Sequence, residues 1–154
     1  MRLFFTFAVC FTLLGLLVGT ADLSAQEKEG ARFFRGSLET LKVKAKRDKT
    51  PYVVAFHTTW CEPCKKMEAE VYPDAELGRF LKTHYLAMKV NAESIMYKDF
   101  AAQQFVSSFP TLIIFSPEGE TLSRLGGYQD IESLMTELKK HLPKGMNLKF
   151  SDFR

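Results

Sequence analysis

Apolar residues along this chain recur at two spacings. Between residues 38 and 45, Leu38, Leu41 and Ala45 share one helical face after Ser37, a residue suited to capping a helix. Thr50-Pro51 ends that helix. "YVVAFH" (residues 52–57) is then a nearly continuous apolar run, as expected of a strand buried on both faces. "TTWCEPCKKMEAEVY" follows. Thr59 and Glu62 have capping-box spacing, Pro63 is tolerated in a first helical turn, and Met67 and Val71 stand one turn apart. "DAELGRFLKTH" predicts another helical piece, and "YLAMKVNAE" (residues 85–93) the next strand.

In "MYKDFAAQQFVSS" the residues Tyr97, Phe100, Ala101, Gln104 and Phe105 fall on one helical face. "FPTLIIFSPEGETLSRLGG" predicts a hairpin, with strands over 111–115 and 120–125 around a Pro-Glu-Gly turn. Asp130 caps a last helix, whose apolar face is Ile131, Leu134, Met135, Leu138 and Leu142, and Pro143 stops it. "ARFFRG" (residues 31–36) is a short strand or a lead-in, and the tail from 143 to 154 is an edge strand or a loose end. Two strands joined through a helix predict parallel pairing, and the late hairpin adds antiparallel pairing. The expected fold is therefore α/β, a central mixed sheet of four to five strands with helices on both faces.

The first 25 residues stand apart. Arg2 is followed by no charge until Asp22, and small residues appear at "LSAQ". This is the layout of a secretory signal peptide, cleaved after Ala25 or Ala21, with an uncleaved anchor as the alternative for a 19-residue uncharged run. The expected organisation is a signal peptide over 1–25, a linker and lead-in over 26–36, one domain over 37–142 and a tail over 143–154. The product is exported, periplasmic or secreted, with no membrane attachment once the signal is removed. Removing 25 of the 154 residues also removes Cys10, one of three cysteines, and leaves the formal charge at +3. That mild, scattered charge excludes a nucleic-acid binder. The lysine-rich run over 42–49 is a solvated helix face.

Cys61 and Cys64 remain, in an exported chain that meets oxidants. A loop with two residues inside it gains little as a structural staple. Structural zinc needs about four nitrogen or sulfur ligands, and His57, His84 and His141 have no paired ligand spacing. Covalent haem needs a histidine after the second cysteine, where Lys65 stands. A thiol pair at a strand-to-helix junction does have a chemical use. The helix N-terminus stabilises a thiolate on Cys61, and Cys64, one turn on, can resolve a mixed disulfide. Pro63 stiffens the turn between them. Glu62 sets a negative charge beside the thiolate, which raises its pKa and favours a reducing pair.

"WCEPCKK", "AMKVNAE", "FPTLIIF" and "LGGY", in that order, resemble the thioredoxin superfamily over roughly residues 37–142. The front half resembles the exported C-terminal domain of the transmembrane thiol reductant transporter. "CEPC" also occurs in exported reductants of apocytochrome c, a resemblance confined to the motif. The superfamily resemblance implies a thioredoxin fold and a thiol–disulfide oxidoreductase whose only redox group is the Cys61–Cys64 pair, with no metal or other cofactor. It implies that Trp60 shields the disulfide, that Pro110 is the cis-proline facing Cys61, and that the Phe109 backbone pairs with a substrate chain. The implied partners are protein disulfides and, as electron donor, a membrane thiol relay. One departure stands out: the family's buried acid is replaced by Ala55, which leaves the matching Lys89 without that partner. His57 is a candidate substitute base, and Glu93 reads as a solvated strand end. Three alternatives remain at this level: an oxidase or isomerase on the same fold, a non-catalytic binding module, and a metal-binding protein.

Overall fold

The computed structural model describes residues 30–142. The signal peptide assigned to 1–25, the start of the linker and the tail over 143–154 lie outside the described residues. The order of elements is α1 (Leu38–Asp48), β1 (Tyr52–His57), α2 (Glu62–Glu70), α3 (Ala75–His84), β2 (Leu86–Asn91), α4 (Lys98–Gln103), β3 (Thr111–Phe115), β4 (Thr121–Gly126) and α5 (Ile131–Lys140). The strands form one four-stranded sheet in the order β2-β1-β3-β4. β1 pairs in parallel with β2, and β3 pairs antiparallel with both β1 and β4.

Local chemistry sets the helix ends. Ser37, Asp74 and Asp130 each accept a backbone N–H of the first turn through their side-chain oxygens, an interaction worth about 1 kcal/mol per cap. Strand alternation sorts the core into two layers. Val53 and Ala55 of β1, with Leu112 and Ile114 of β3, pack against Met67, Leu77, Phe80, Leu81, Leu134 and Leu138 from α2, α3 and α5. Tyr52, Val54 and Phe56, with Ile113 and Phe115, pack on the other face against Leu38, Leu41 and Ala45 of α1 and Ala101 of α4. Each fully buried Leu or Phe contributes roughly 1.5–3 kcal/mol.

Residues 31–34 run along the outer edge of the sheet. Ala31 donates its N–H to the Tyr72 carbonyl and Phe34 donates to that of Ala87. Phe33 packs on one core layer and Phe34 on the other. Gly30 is tight against Tyr72 and Pro73, where an added Cβ would meet the Tyr72 carbonyl oxygen. The lead-in thus covers an otherwise open edge, although it does not form a regular strand.

Two local expectations change. Cys61, not Thr59, is the N-cap of α2: its sulfur accepts the Cys64 N–H, and Glu62 becomes the first helical residue. Phe105 leaves the apolar face of α4. The helix stops at Gln103, and Phe105 adopts a left-handed conformation (φ 52°) with its ring 87% exposed.

Candidate active site

β1 runs buried to Phe56 and delivers residues 58–61 at the C-terminal edge of the sheet. Cys61 and Cys64 form a disulfide with S–S 2.05 Å and Cα–Cα 5.3 Å. Both are nearly covered, at 2% and 7% exposure, whereas the neighbouring Trp60 is 62% exposed. The Cys64 N–H donates to the Cys61 sulfur at 3.2 Å. That N–H is one of the orphan donors of a helix N-terminus, so the sulfur that becomes a thiolate on reduction already sits on a donor at the positive end of the dipole.

Pro110 arrives from the other side. Thr111 pairs with Phe56, which puts the Phe109–Pro110 peptide beside the end of β1. That peptide is cis. The Pro110 carbonyl accepts from Gly127 N–H at 2.7 Å, joining the "LGGY" loop to the same end of the sheet. Gly127 has φ 79°, a left-handed conformation that glycine adopts without steric cost. Phe109 meets Trp60 edge-on, ring centroids 5.9 Å apart. Trp60, Cys61, Cys64, Phe109 and Pro110 therefore come from two distant segments to one end of β1 and β3.

Glu62 and Pro63 are exposed on the first turn of α2. Glu62 is not a bare charge beside the cysteines: Lys65 donates to its carboxylate at 2.5 Å, one turn along the helix. The paired cation offsets the negative charge that the sequence set against the helix dipole, so Glu62 favours the thiol less than the motif alone suggests.

The pattern of the chain under-read one residue. Glu93, expected as a solvated strand end, accepts the Trp60 indole N–H at 3.0 Å. Its own backbone N–H is held by the Asn91 side-chain oxygen at 2.9 Å. The only available signal was an Asn two residues before Glu at the end of a strand, which suits a side-chain-stabilised turn. Lys89 is also not left alone by the loss of the buried acid. It pairs with Glu68 of α2 and lies over the Phe33 ring at 5.4 Å. Ala55, at 4% exposure, packs as an ordinary core residue opposite Lys89 in the β1–β2 register. His57, at the strand end, is half-buried. The Thr58 hydroxyl is buried with no hydrogen-bond partner among the described residues.

At the flank, the Tyr128 hydroxyl donates to Glu70 at 3.0 Å, and Lys66 sits over the Tyr128 ring at 4.6 Å. The hydrogen bond to Glu70 holds the Tyr128 phenol above its usual range. These contacts tie the "LGGY" loop to α2.

The match to known proteins agrees with this architecture. Residues 38–142 match the model of the thioredoxin-like domain, and the chain belongs to that family. It is 29% identical over 151 residues to a protein disulfide-isomerase of Medicago sativa, covering 95% of this chain and 29% of that protein. The chain thus spans under a third of that relative's length. It is 36% identical over 90 residues to a thioredoxin of Staphylococcus aureus, covering 58% of this chain and 81% of the relative. A solved structure of a disulphide-isomerase-like protein from Bacteroides thetaiotaomicron superposes with a TM-score of 0.64 at 26% identity, over 72% of this chain and 92% of that one. A thioredoxin-like fold carrying a C-x-x-C disulfide at a helix N-terminus defines the class of thiol–disulfide exchange proteins.

Proposed function

We propose that the protein is an exported thiol–disulfide oxidoreductase that reduces disulfides in protein substrates. The observation that carries this reading is the Cys61–Cys64 disulfide at the N-cap of α2, with the Cys64 N–H on the Cys61 sulfur. In the reduced protein, the Cys61 thiolate attacks one sulfur of a substrate disulfide. A mixed disulfide forms and the substrate's other sulfur leaves as a thiolate. Cys64 then loses its proton and attacks the Cys61 sulfur, which regenerates the intramolecular disulfide and releases the second substrate thiolate. Two electrons pass from the cysteine pair to the substrate, with no other redox group involved.

The substrate chain lies along Phe109, whose backbone has no backbone hydrogen-bond partner among the described residues and is open to an added strand. Trp60 covers the disulfide. Protein disulfide-isomerase relatives support protein substrates. Export rests on the apolar, uncharged run near the N-terminus. A domain outside the cytosol cannot draw on a cytosolic reductase, so its electrons come through a membrane thiol relay. The front-half resemblance to a thiol-transporter domain supports that route.

The test is the reduction potential of the Cys61–Cys64 pair in redox-buffered solution. A value near about −270 mV supports a reductant. A value nearer about −180 to −120 mV makes the protein an isomerase or oxidant instead. A pair that never equilibrates with thiols would remove the catalytic reading and leave a binding module.

A further inference from the structure

The connection between β2 and β3 starts and finishes on the same ring. Glu93, at its beginning, accepts the Trp60 indole N–H, and Phe109, at its end, packs edge-on against that indole. Between them the backbone is well held. Tyr97 and Lys98 both donate to the Ser94 carbonyl, Phe105 donates to Ala102 and Val106 to Ala101. Thr111 closes the far end by donating its hydroxyl to the Ser108 carbonyl at 2.7 Å.

This held segment displays apolar side chains. Of six exposed large hydrophobic residues among the described residues, Ile95 (89%), Met96 (72%) and Phe105 (87%) lie in it, and Trp60 is a fourth. Chain geometry ties them to residues that touch Trp60: Phe105 is four residues from Phe109, a span of at most about 14 Å, and Ile95 is two residues from Glu93, at most about 7 Å. Phe105 is also poorly suited to its backbone. It follows the C-cap of α4 in a left-handed conformation (φ 52°), where glycine is the usual occupant and an aromatic side chain is sterically disfavoured. A phenylalanine that improves neither the backbone nor the core, and that is presented to water on a rigid segment, is accounted for by contact with a partner.

We propose that Phe105, with Ile95 and Met96, extends the substrate-docking surface beyond Trp60 and Phe109, and that it receives an apolar segment flanking the substrate's cysteine. The partner is an exposed, leucine- or phenylalanine-rich stretch of a disulfide-bonded polypeptide, the kind of segment an incompletely folded protein shows. This rests on the exchange reading above and names its substrate class. The argument for this occupant is continuity with the Trp60–Phe109 ring pair beside the disulfide.

The experiment uses two disulfide-linked peptides of equal length, with leucines flanking the cystine in one and serines in the other, and dithiothreitol to re-reduce the protein. The unsubstituted protein is expected to favour the leucine peptide in kcat/KM. Phe105→Gly, which suits the backbone, is expected to leave Tm unchanged or raised. It should lower kcat/KM for the leucine peptide about tenfold, mainly through KM, as expected for a largely buried apolar contact, and leave the serine peptide unaffected. Ile95→Ser with Met96→Ser should act in the same direction. An unchanged leucine-to-serine ratio in Phe105→Gly overturns the proposal. So does a lowered Tm with that ratio intact, which would make the ring structural. A dimer that Phe105→Gly converts to monomer, with the ratio unchanged, would assign the surface to a second copy of the chain. If the unsubstituted protein reduces neither peptide, the exchange reading fails by itself. Binding of the leucine peptide with serine for cysteine, followed by Trp60 fluorescence in parent and Phe105→Gly, then decides the docking surface: equal affinities overturn it, and weaker binding by the variant supports it.

Discussion

The two ends of the four-stranded sheet are finished in opposite ways. At the end where β3 turns into β4, polar groups are closed on one another. Ser116 accepts the N–H groups of Glu118 and Glu120 on its hydroxyl, and exchanges backbone bonds with Gly119 and Glu120. Ser123 donates to Glu137 at 2.7 Å, and the buried Tyr85 hydroxyl donates to the Leu138 carbonyl at 2.7 Å. One exception is the Tyr52 phenol, which is buried beneath the turn without a hydrogen-bond partner among the described residues and pushed up to about 12 by that burial. At the disulfide end the chain instead exposes Trp60, Ile95, Met96 and Phe105. The contrast is between hydrogen-bond closure at one end and displayed apolar side chains, three of them on a hydrogen-bonded segment, at the other.

Removing Cys61 should break this contrast most sharply. Cys61→Ser is expected to abolish disulfide exchange, by at least about a thousandfold, since Cys64 alone has no second thiol with which to complete the cycle. Cys64→Ser should instead trap the substrate on Cys61 as a mixed disulfide, visible on a non-reducing gel. Substitution at the closed end should have the converse effect. Tyr85→Phe strips the Leu138 carbonyl of a buried donor and should cost about 1–3 kcal/mol in denaturant unfolding, with exchange rates unchanged.

A subtler change separates positioning from structure. Glu93→Ala frees the indole of Trp60, the only tryptophan in the chain, so its fluorescence reports the change directly. Exchange with a protein disulfide should fall about fivefold while stability stays within about 0.5 kcal/mol. An unaltered emission spectrum would show that Glu93 does not hold the ring.

The smallest effect lies in the acid limb. Hydrogen bonds from Ser123, Lys140 and His141 pull Glu137 down to about 2, from an ordinary value near 4.5. Its folded-state pKa is the lower, so its contribution is fully present above pH about 4.5 and is lost as the pH falls through about 2. Glu137→Gln should therefore lose less stability than the parent between pH 5 and 2. Parallel acid-unfolding curves would contradict that role.

Much of this was legible along the chain, and the reasons differ by distance. The caps Ser37, Asp74 and Asp130 act within one turn, so residue type and spacing reveal them. The strand-then-helix position of Cys61 follows from an apolar run ending just before it. The cap of α2 was misread because Thr59 and Glu62 satisfy a capping spacing, yet a sulfur two residues later takes the N–H instead. Phe105 fitted a helical face by counting alone. The helix ends before it, and the residue is left exposed.

The cysteine pair, its place at a helix start, the order of strands and helices and the apolar faces that make the core can all be read along the chain. These signals are local: alternation, helical period and capping all repeat within a few residues. Tertiary structure alone decided that Glu93, 33 residues on, holds Trp60, and that Phe109 closes on the same ring from 49 residues away. It also decided that Glu68 takes Lys89 where Ala55 has removed an acid, and that residues 31–34 cover the edge of β2. Such contacts have no spacing to read. They arise when the sheet register brings remote segments together, and the energy that selects them belongs to the whole packed core.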